Sequence, residues 1–167
     1  ALITTLVKSA FLAWTDEDRP IEQFVRRANG YLCRFTPDGA FAAVIACVYD
    51  ADSRVLRYVN AGHCPKPVLV PAGADRPLEM LDAGGSMILG VLPEIDIEVA
   101  SATLSPGDSV FFITDGMTEA RNADGEMFGL DRLTEVLAAA RSQALWEMVD
   151  AMSDQVEHFA AGVEPTD

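Results

Sequence analysis

Long apolar runs are missing from this chain of 167 residues, although half of its residues are hydrophobic. Its longest uninterrupted apolar block, residues 41–49, is far shorter than the about 20 residues that a membrane-spanning helix requires. The chain opens ALITTLVKSAF, without the basic start or the small-residue cleavage site of a secretory signal peptide. We therefore expect a protein that is neither inserted in a membrane nor secreted.

Cysteine and histidine are scarce. The three cysteines, Cys33, Cys47 and Cys64, form no CxxC pair, and their odd number is typical of a reducing compartment. The only two histidines are His63 and His158, which argues against a structural zinc site. We therefore expect a cytoplasmic protein.

Basic side chains are also few. The chain has 12 lysines and arginines against 26 acidic residues, which gives a formal charge of −14. Because nucleic acids and anionic membranes attract basic surfaces, this charge argues against both as partners. It is compatible with an enzyme that holds divalent cations, although most acidic proteins bind no metal. The length predicts one domain with one core, over residues 1–167.

Helical periodicity occurs at both ends of the chain. Apolar residues at three- and four-residue spacing predict a first helix that ends at Thr15–Asp18, and Pro20 fits the first turn of a second helix. The same spacing returns after Gly125 and predicts two more helices. The predicted buried positions are Leu2, Ile3, Leu6, Val7, Ala10, Phe11 and Trp14; Ile21, Phe24, Val25, Ala28 and Leu32; Leu130, Leu133, Val136 and Leu137; and Leu145, Met148, Val149, Met152 and Val156.

Between these helices, segments rich in β-branched and aromatic residues alternate with turn signals, which is typical of strands joined by hairpins. The unbroken apolar run before Thr114 predicts a strand that is buried on both faces. Strands grouped between helices predict an α+β fold with an antiparallel sheet, not alternating βαβ units. The six predicted strands are Phe41–Tyr49, Val55–Val59, Val68–Val70, Leu78–Leu81, Ile95–Val99 and Ser109–Thr114.

Three stretches that could form a functional site lie at the ends of predicted strands or at the entry to a helix. They are Asn60–His63, Thr114–Gly116 and Asp124–Gly129. From the residues alone, each also has a plain structural interpretation as a turn or a loop, with His63 as a hydrogen-bonded structural histidine.

No protein nucleophile is indicated. Cys64 adjoins His63, but adjacent residues on an extended chain point in opposite directions and cannot form a dyad. Ser86 and Ser109 lack the nucleophile-elbow pattern of hydrolases that use a Ser/His/Asp triad.

Taken together, these stretches resemble a known family. The strings YVNAGHCPKPVLV, GGSMILGVLP and LSPGDSVFFITDGMTEARNADGEMFGLDRL are similar to the SpoIIE-type branch of the metal-dependent (PPM) protein serine/threonine phosphatases. These bacterial enzymes often act on anti-sigma-factor antagonists. The resemblance runs from Ala1 to the C-terminus, and its most specific parts are NAGH with nearby prolines and TDGxTEAR followed by GExFG.

The resemblance implies an antiparallel β-sandwich flanked by helices, with two divalent ions, Mn²⁺ or Mg²⁺, at one end of the sandwich. Such hard cations prefer carboxylate and carbonyl oxygens. A metal pair activates a bridging water for in-line attack on the phosphate, so that no protein nucleophile is needed. The implied function is hydrolysis of phosphoserine or phosphothreonine in a protein of a bacterial signalling system.

The resemblance also implies roles for single residues. Asp115 matches the metal-binding aspartate of the TDG motif, and Gly116 lets the backbone turn away from the ion. Gly62–His63 matches the AGH residues, which shape the site without binding metal. Glu119 and Arg121 match the TEAR residues, for which we expect a local structural or positioning role and not direct contact with metal or substrate.

Several metal-binding motifs of the family are not found in this chain. The family carries a GDxxD strand and a DxSGHG turn upstream, and a DDxT motif downstream. Asp167 matches the first aspartate of DDxT, so the chain offers Asp115 and Asp167 as metal ligands. One carboxylate supplies at most two oxygens and each ion takes about six, so we expect the chain to be part of a longer protein.

Two functional hypotheses follow, and the residues do not decide between them. Either the chain is the greater part of a Mn²⁺- or Mg²⁺-dependent phosphoprotein phosphatase, or it is a catalytically incomplete module of the same fold that acts in binding or regulation. The expected partner is a phosphorylated protein such as an anti-sigma-factor antagonist. Exposed sheet edges would also favour a homodimer. An unrelated acidic α+β domain with chance motifs is the remaining alternative.

Overall fold

The computed structural model describes residues 2–15 and 20–161, and six strands lie between two groups of helices. No helix among these residues combines the length and the apolar character needed to cross a bilayer. The helices are α1 (Leu2–Thr15), α2 (Ile21–Phe35), α3 (Asp115–Thr118), α4 (Gly129–Ala140) and α5 (Leu145–Ala160), and the strands are β1 (Val44–Asp50), β2 (Val55–Ala61), β3 (Val68–Val70), β4 (Glu79–Met80), β5 (Ala100–Thr103) and β6 (Ser109–Phe111).

The chain divides into two compact units, each with one three-stranded antiparallel sheet. Unit 1 comprises Ala1–His63 and Ala83–Leu104, and its strand order is β1-β2-β5. Unit 2 comprises Cys64–Asp82 and Ser105–Asp167, and its strand order is β4-β3-β6. This confirms the predicted α+β class with antiparallel sheets and helices, whereas a single domain over residues 1–167 stays a prediction.

Helix α2 packs its apolar face on the core of unit 1. The carbonyl of Pro20, the residue before the helix, accepts a hydrogen bond from the backbone N–H of Gln23 at 3.0 Å. All five predicted positions of the face are buried, because apolar residues at three- and four-residue spacing form one stripe along a helix. These positions are Ile21, Phe24, Val25, Ala28 and Leu32.

Helix α1 forms where it was predicted but buries less of its apolar stripe than expected. Only Ala10 of this helix is fully buried, while Trp14 packs against the core from a partly buried position. Phe11 contacts the ring of Phe24 edge-on, with 5.8 Å between ring centroids, and still remains 47% exposed. The predicted end at Thr15–Asp18 lies mostly outside the described residues.

Unit 2 builds its core from strands β3 and β6 and helices α4 and α5. Val68 and Val70 of β3 pack with Phe111 of β6. Of the positions predicted for α4 and α5, Leu130, Val136 and Val156 pack at the core's edge, and Leu145 and Val149 are exposed. The fully buried predicted positions are Leu133, Leu137, Met148 and Met152.

An ion pair between a half-exposed arginine and an enclosed aspartate closes the turn before β6. The Asp108 side chain, 1% exposed, accepts hydrogen bonds from Arg76 at 2.5 and 2.6 Å, from the N–H of Ser105 at 2.9 Å and from the N–H of Ala72 at 3.1 Å. Burial acts to raise the pKa of Asp108, but these hydrogen bonds outweigh it and hold the pKa below its ordinary value.

The predicted strand Ile95–Val99 is wrong. Strand β5 begins at Ala100, and Glu98 forms only an isolated bridge with Gly85. Ile95 and Ile97 do pack on the core of unit 1, so their alternation reports burial correctly. Side-chain burial does not require a paired backbone, and β2 pairs instead with the small residues of β5.

The strand predicted over Ser109–Thr114 is also corrected. Strand β6 ends at Phe111, and after it the side chains alternate between buried and exposed positions. Ile113 is buried, whereas Phe112 is 47% exposed. An apolar run therefore does not indicate two-sided burial here. The first strand begins at Val44, three residues later than predicted.

Candidate functional site

The NAGH loop, residues 60–63, is closed by the side chain of its own first residue. Asn60 accepts a hydrogen bond from the backbone N–H of His63 at 2.7 Å and donates one to the carbonyl of His63 at 3.0 Å. The Asn60 side chain is buried, so both bonds are shielded from water. The loop is thus a fixed feature at the end of β2.

Glycine is required at position 62. Gly62 adopts a φ of +74°, a left-handed conformation that residues with a Cβ rarely take. A Cβ at this position would also lie 2.9 Å from the Cβ of Ile88. This geometry supports a shaping role for Gly62, which stays a prediction together with the role of His63.

A second segment, residues 84–90, runs beside the NAGH loop within unit 1. The backbone N–H of Ser86 donates to the carbonyl of Asn60 at 3.0 Å, and Ser86 bridges Ala61. The Ser86 hydroxyl is buried and has no hydrogen-bond partner in the described part of the chain. The two segments therefore hold each other in place through backbone contacts.

The TDG turn, residues 114–116, lies in unit 2. Asp115 is the first residue of the four-residue helix α3, four positions after the last residue of β6. Its carbonyl accepts a hydrogen bond from Glu119 N–H at 2.7 Å. Its carboxylate is exposed and makes no hydrogen bond or ion pair with a described residue. The buried Ile113 anchors the chain just before it.

The backbone at Gly116 does not itself require a glycine, and a site-shaping role for this residue stays a prediction. Gly116 lies inside α3 without a positive φ, and a Cβ there would meet only the Thr114 hydroxyl, at 3.8 Å. The chain turns away because it enters a helical turn, which needs no glycine. Any shaping role of Gly116 therefore has to come from open space beside Asp115.

The residues after the TDG turn form a compact loop. Arg121 donates to the carbonyl of Gly125 at 2.6 Å, the local structural role expected for it. The Asn122 side chain accepts hydrogen bonds from the N–H groups of Asp124 at 3.1 Å and Glu126 at 2.9 Å. Sequence reasoning missed Asn122 and Asn60, although asparagine in a glycine-containing loop is a known signal for such contacts.

The described residues do not build a metal site. Within residues 2–15 and 20–161, no three histidine, cysteine, aspartate or glutamate side chains are grouped so that they could hold a metal ion. Asp115 stands as a single carboxylate, and Asp167 lies outside the described residues. A pair of divalent ions, each with about six oxygen ligands, does not fit this donor set.

The structure thus groups the predicted site residues into two pairs. Gly62 and His63 share the NAGH loop of unit 1, and Asp115 and Gly116 share the TDG turn of unit 2. The two residues of each pair are neighbours in one loop or turn, and each pair lies in a different unit.

Comparison with known proteins gives consistent matches. The family model "Stage II sporulation protein E (SpoIIE)" matches residues 1–167. Protein IcfG of Synechocystis is 32% identical over 133 residues, which cover 79% of this chain and 20% of IcfG. Phosphoserine phosphatase RsbU of Bacillus subtilis is 25% identical over 158 residues, which cover 93% of this chain and 45% of RsbU. The chain therefore spans less than half the length of either relative.

A solved structure shares the fold. The SiaA-PP2C domain of Pseudomonas aeruginosa superposes with a TM-score of 0.75 at 16% identity. The match covers 97% of this chain and 64% of that structure. The fold is therefore that of a PP2C-type phosphatase domain.

Proposed function

Because the chain belongs to the SpoIIE family, we propose that it forms part of the catalytic domain of a metal-dependent phosphoprotein phosphatase. The substrates are proteins phosphorylated on serine or threonine, such as a phosphorylated anti-sigma-factor antagonist of a bacterial signalling system. The similarity to RsbU, a phosphoserine phosphatase, supports this reaction class.

The observation that carries the proposal is the position of the Asp115 carboxylate. It is exposed two residues after the buried Ile113, and it makes no hydrogen bond or ion pair with a described residue. Asp108 of the same unit is instead held by Arg76. Asp115 is the metal ligand that we assign to this chain, with Mn²⁺ or Mg²⁺ as the ion, because it stands in the TDG sequence that resembles the family's metal-binding motif and its carboxylate is open to an ion.

The remaining ligands must come from residues beyond those described, with Asp167 as one candidate. This follows from the donor count, since one carboxylate cannot complete the coordination of two ions. The described residues would then contribute one ligand, the NAGH loop and the fold that supports them.

The second candidate function is a phosphatase-fold module that binds or regulates a partner without catalysis. The lack of a metal-capable cluster in the described part of the chain favours it. The two functions differ in one observable, which is metal-dependent turnover.

The test is hydrolysis of a phosphoserine peptide by the full-length protein that contains this chain, in Mn²⁺ and in Mn²⁺ with excess chelator. The proposal predicts turnover that chelator abolishes and that Asp115→Asn lowers by at least about a hundredfold, because a lost metal ligand removes charge stabilisation at the phosphate. Asp150→Asn is the matched control, since Asp150 is an exposed aspartate of the same unit and the substitution changes net charge equally.

Two results would count against the proposal. Turnover that survives chelator or Asp115→Asn would remove Asp115 from the reaction. No turnover under any condition would favour the non-catalytic module.

A further inference from the structure

Asn60 has an unusual bonding pattern for a buried side chain. Asn60 and Asn29 are the two polar residues that are buried as whole residues in the described part of the chain, with Asn60 7% exposed and Asn29 1% exposed. The oxygen of the Asn60 side-chain amide accepts a hydrogen bond from the His63 N–H, and its nitrogen donates one to the His63 carbonyl. Both bonds therefore go to the backbone of one residue. A residue whose N–H and carbonyl are both held has little freedom in φ or ψ.

Asn60, whose side chain holds His63, is itself held in place by backbone hydrogen bonds. The backbone carbonyl of Asn60 accepts a hydrogen bond from Ser86 N–H, and Asn60 lies in β2, paired opposite Ile45 of β1. The amide therefore acts from a paired position in the sheet on His63, the last residue of the loop. Between them, Gly62 supplies the left-handed turn that brings His63 back within reach.

We propose that Asn60 is a positioning residue that fixes the backbone conformation of His63 in the NAGH loop, and that phosphatase turnover depends on it. The inference rests on the proposed function, in which His63 shapes the phosphatase site. Asn60 acts through the backbone of His63 and not through contact with substrate.

Asn29 provides a matched control. It is equally buried in unit 1, where it accepts a hydrogen bond from the N–H of Gly90 at 2.9 Å and donates to the carbonyls of Leu92 at 2.9 Å and Pro93 at 3.2 Å. Asn29→Ala therefore removes a comparable set of buried bonds without touching the NAGH loop.

The first measurement is the rate of amide hydrogen exchange at His63. The variants are compared under conditions in which they have the same free energy of unfolding. In Asn60→Ala we expect exchange about five- to tenfold faster, the change that corresponds to loss of one net hydrogen bond. In Asn29→Ala it stays at the wild-type rate. Asn60→Asp keeps an acceptor for the His63 N–H, so exchange in this variant stays closer to wild type than in Asn60→Ala.

The second measurement is the kinetics of phosphoserine-peptide hydrolysis in Mn²⁺. Asn60→Ala lowers kcat about tenfold at nearly constant KM, because small displacements of site groups act mainly on the transition state. Asn29→Ala, assayed well below its unfolding temperature, leaves kcat unchanged.

Each outcome decides the inference. Unchanged exchange at His63 in Asn60→Ala, or equal loss of kcat in both alanine variants, overturns it. If the wild-type protein shows no turnover, the proposed function fails and the role of Asn60 in catalysis fails with it, whereas turnover in the wild type with unchanged kcat in Asn60→Ala overturns the inference alone.

Discussion

At the scale of single residues, the path of the NAGH loop depends on one glycine with two constraints. Gly62 combines a left-handed φ with close contact to Ile88. Gly39, also in unit 1, has a similar φ of +83° but open space around it. Alanine substitutions at Gly62 and Gly39 therefore distinguish the cost of backbone strain from the cost of steric crowding.

We predict that Gly62→Ala lowers the free energy of unfolding by about 2 to 4 kcal/mol, the sum of the left-handed penalty and overpacking against Ile88. Gly39→Ala carries only the first contribution, about 1 kcal/mol. Urea unfolding of both variants measures the difference. Equal losses of unfolding free energy in the two variants would contradict the prediction, because Ile88 would then move aside from the added methyl group without cost.

Asp108 makes stability depend on pH. Its folded-state pKa lies below the ordinary value of 3.8, so the stabilisation is present above that pH and is lost as the pH falls through the folded-state pKa. We predict that wild-type stability declines below about pH 4 more steeply than that of Asp108→Asn. Chemical unfolding at a series of pH values tests this. Parallel curves for the two proteins would contradict it.

Residue roles were predictable where a pattern carries them and not where the tertiary fold does. The apolar face of α2 follows from spacing, and all its positions are buried as predicted. The sequence contains twelve glycines, and nothing in the pattern marks Gly62 as the one that meets Ile88. The clamp by Asn60 likewise depends on a loop geometry that exists only after folding.

At the scale of elements, the loop of residues 121–127 is held by a side chain, not by a strand. The side chain of Asn122 accepts hydrogen bonds from two backbone N–H groups. Backbone pairing across the loop is limited to one isolated β-bridge between Arg121 and Met127. We predict that Asn122→Ala speeds amide exchange at Glu126 about five- to tenfold, because its acceptor is lost.

Asn122→Asp is the control for this loop, since it keeps the acceptor oxygen. Exchange at Glu126 in this variant should stay near the wild-type rate. If both substitutions accelerate exchange equally, the side-chain oxygen of Asn122 is not what orders the loop.

Strand existence was easier to predict than strand bounds. Six strands were expected and six are described, but β5 lies at Ala100–Thr103 and not at Ile95–Val99. Alternating apolar residues report which side chains are buried, whereas strand assignment depends on backbone pairing. β5 consists of small and polar residues whose pairing with β2 leaves no hydrophobic signal.

At the scale of the whole molecule, the chain consists of two units, each with its own sheet and apolar core, and carries a charge of −14. Repulsion among like charges weakens the folded state, and salt screens it. We predict a melting temperature that rises by a few degrees when monovalent salt increases from low to physiological concentration. Calorimetry measures the shift, and a fall in melting temperature would indicate that attractive pairs dominate.

The central claim is that Asp115 is a metal ligand of a phosphatase site. The most direct test is Mn²⁺ binding, followed by the electron paramagnetic resonance signal of free Mn²⁺, in wild-type protein, Asp115→Asn and Asp150→Asn. The account predicts affinity at least about tenfold weaker in Asp115→Asn, because ligand charge sets affinity for hard cations. It predicts wild-type affinity in Asp150→Asn. Equal Mn²⁺ affinity in all three proteins would contradict the account and leave Asp115 as a surface residue of a turn.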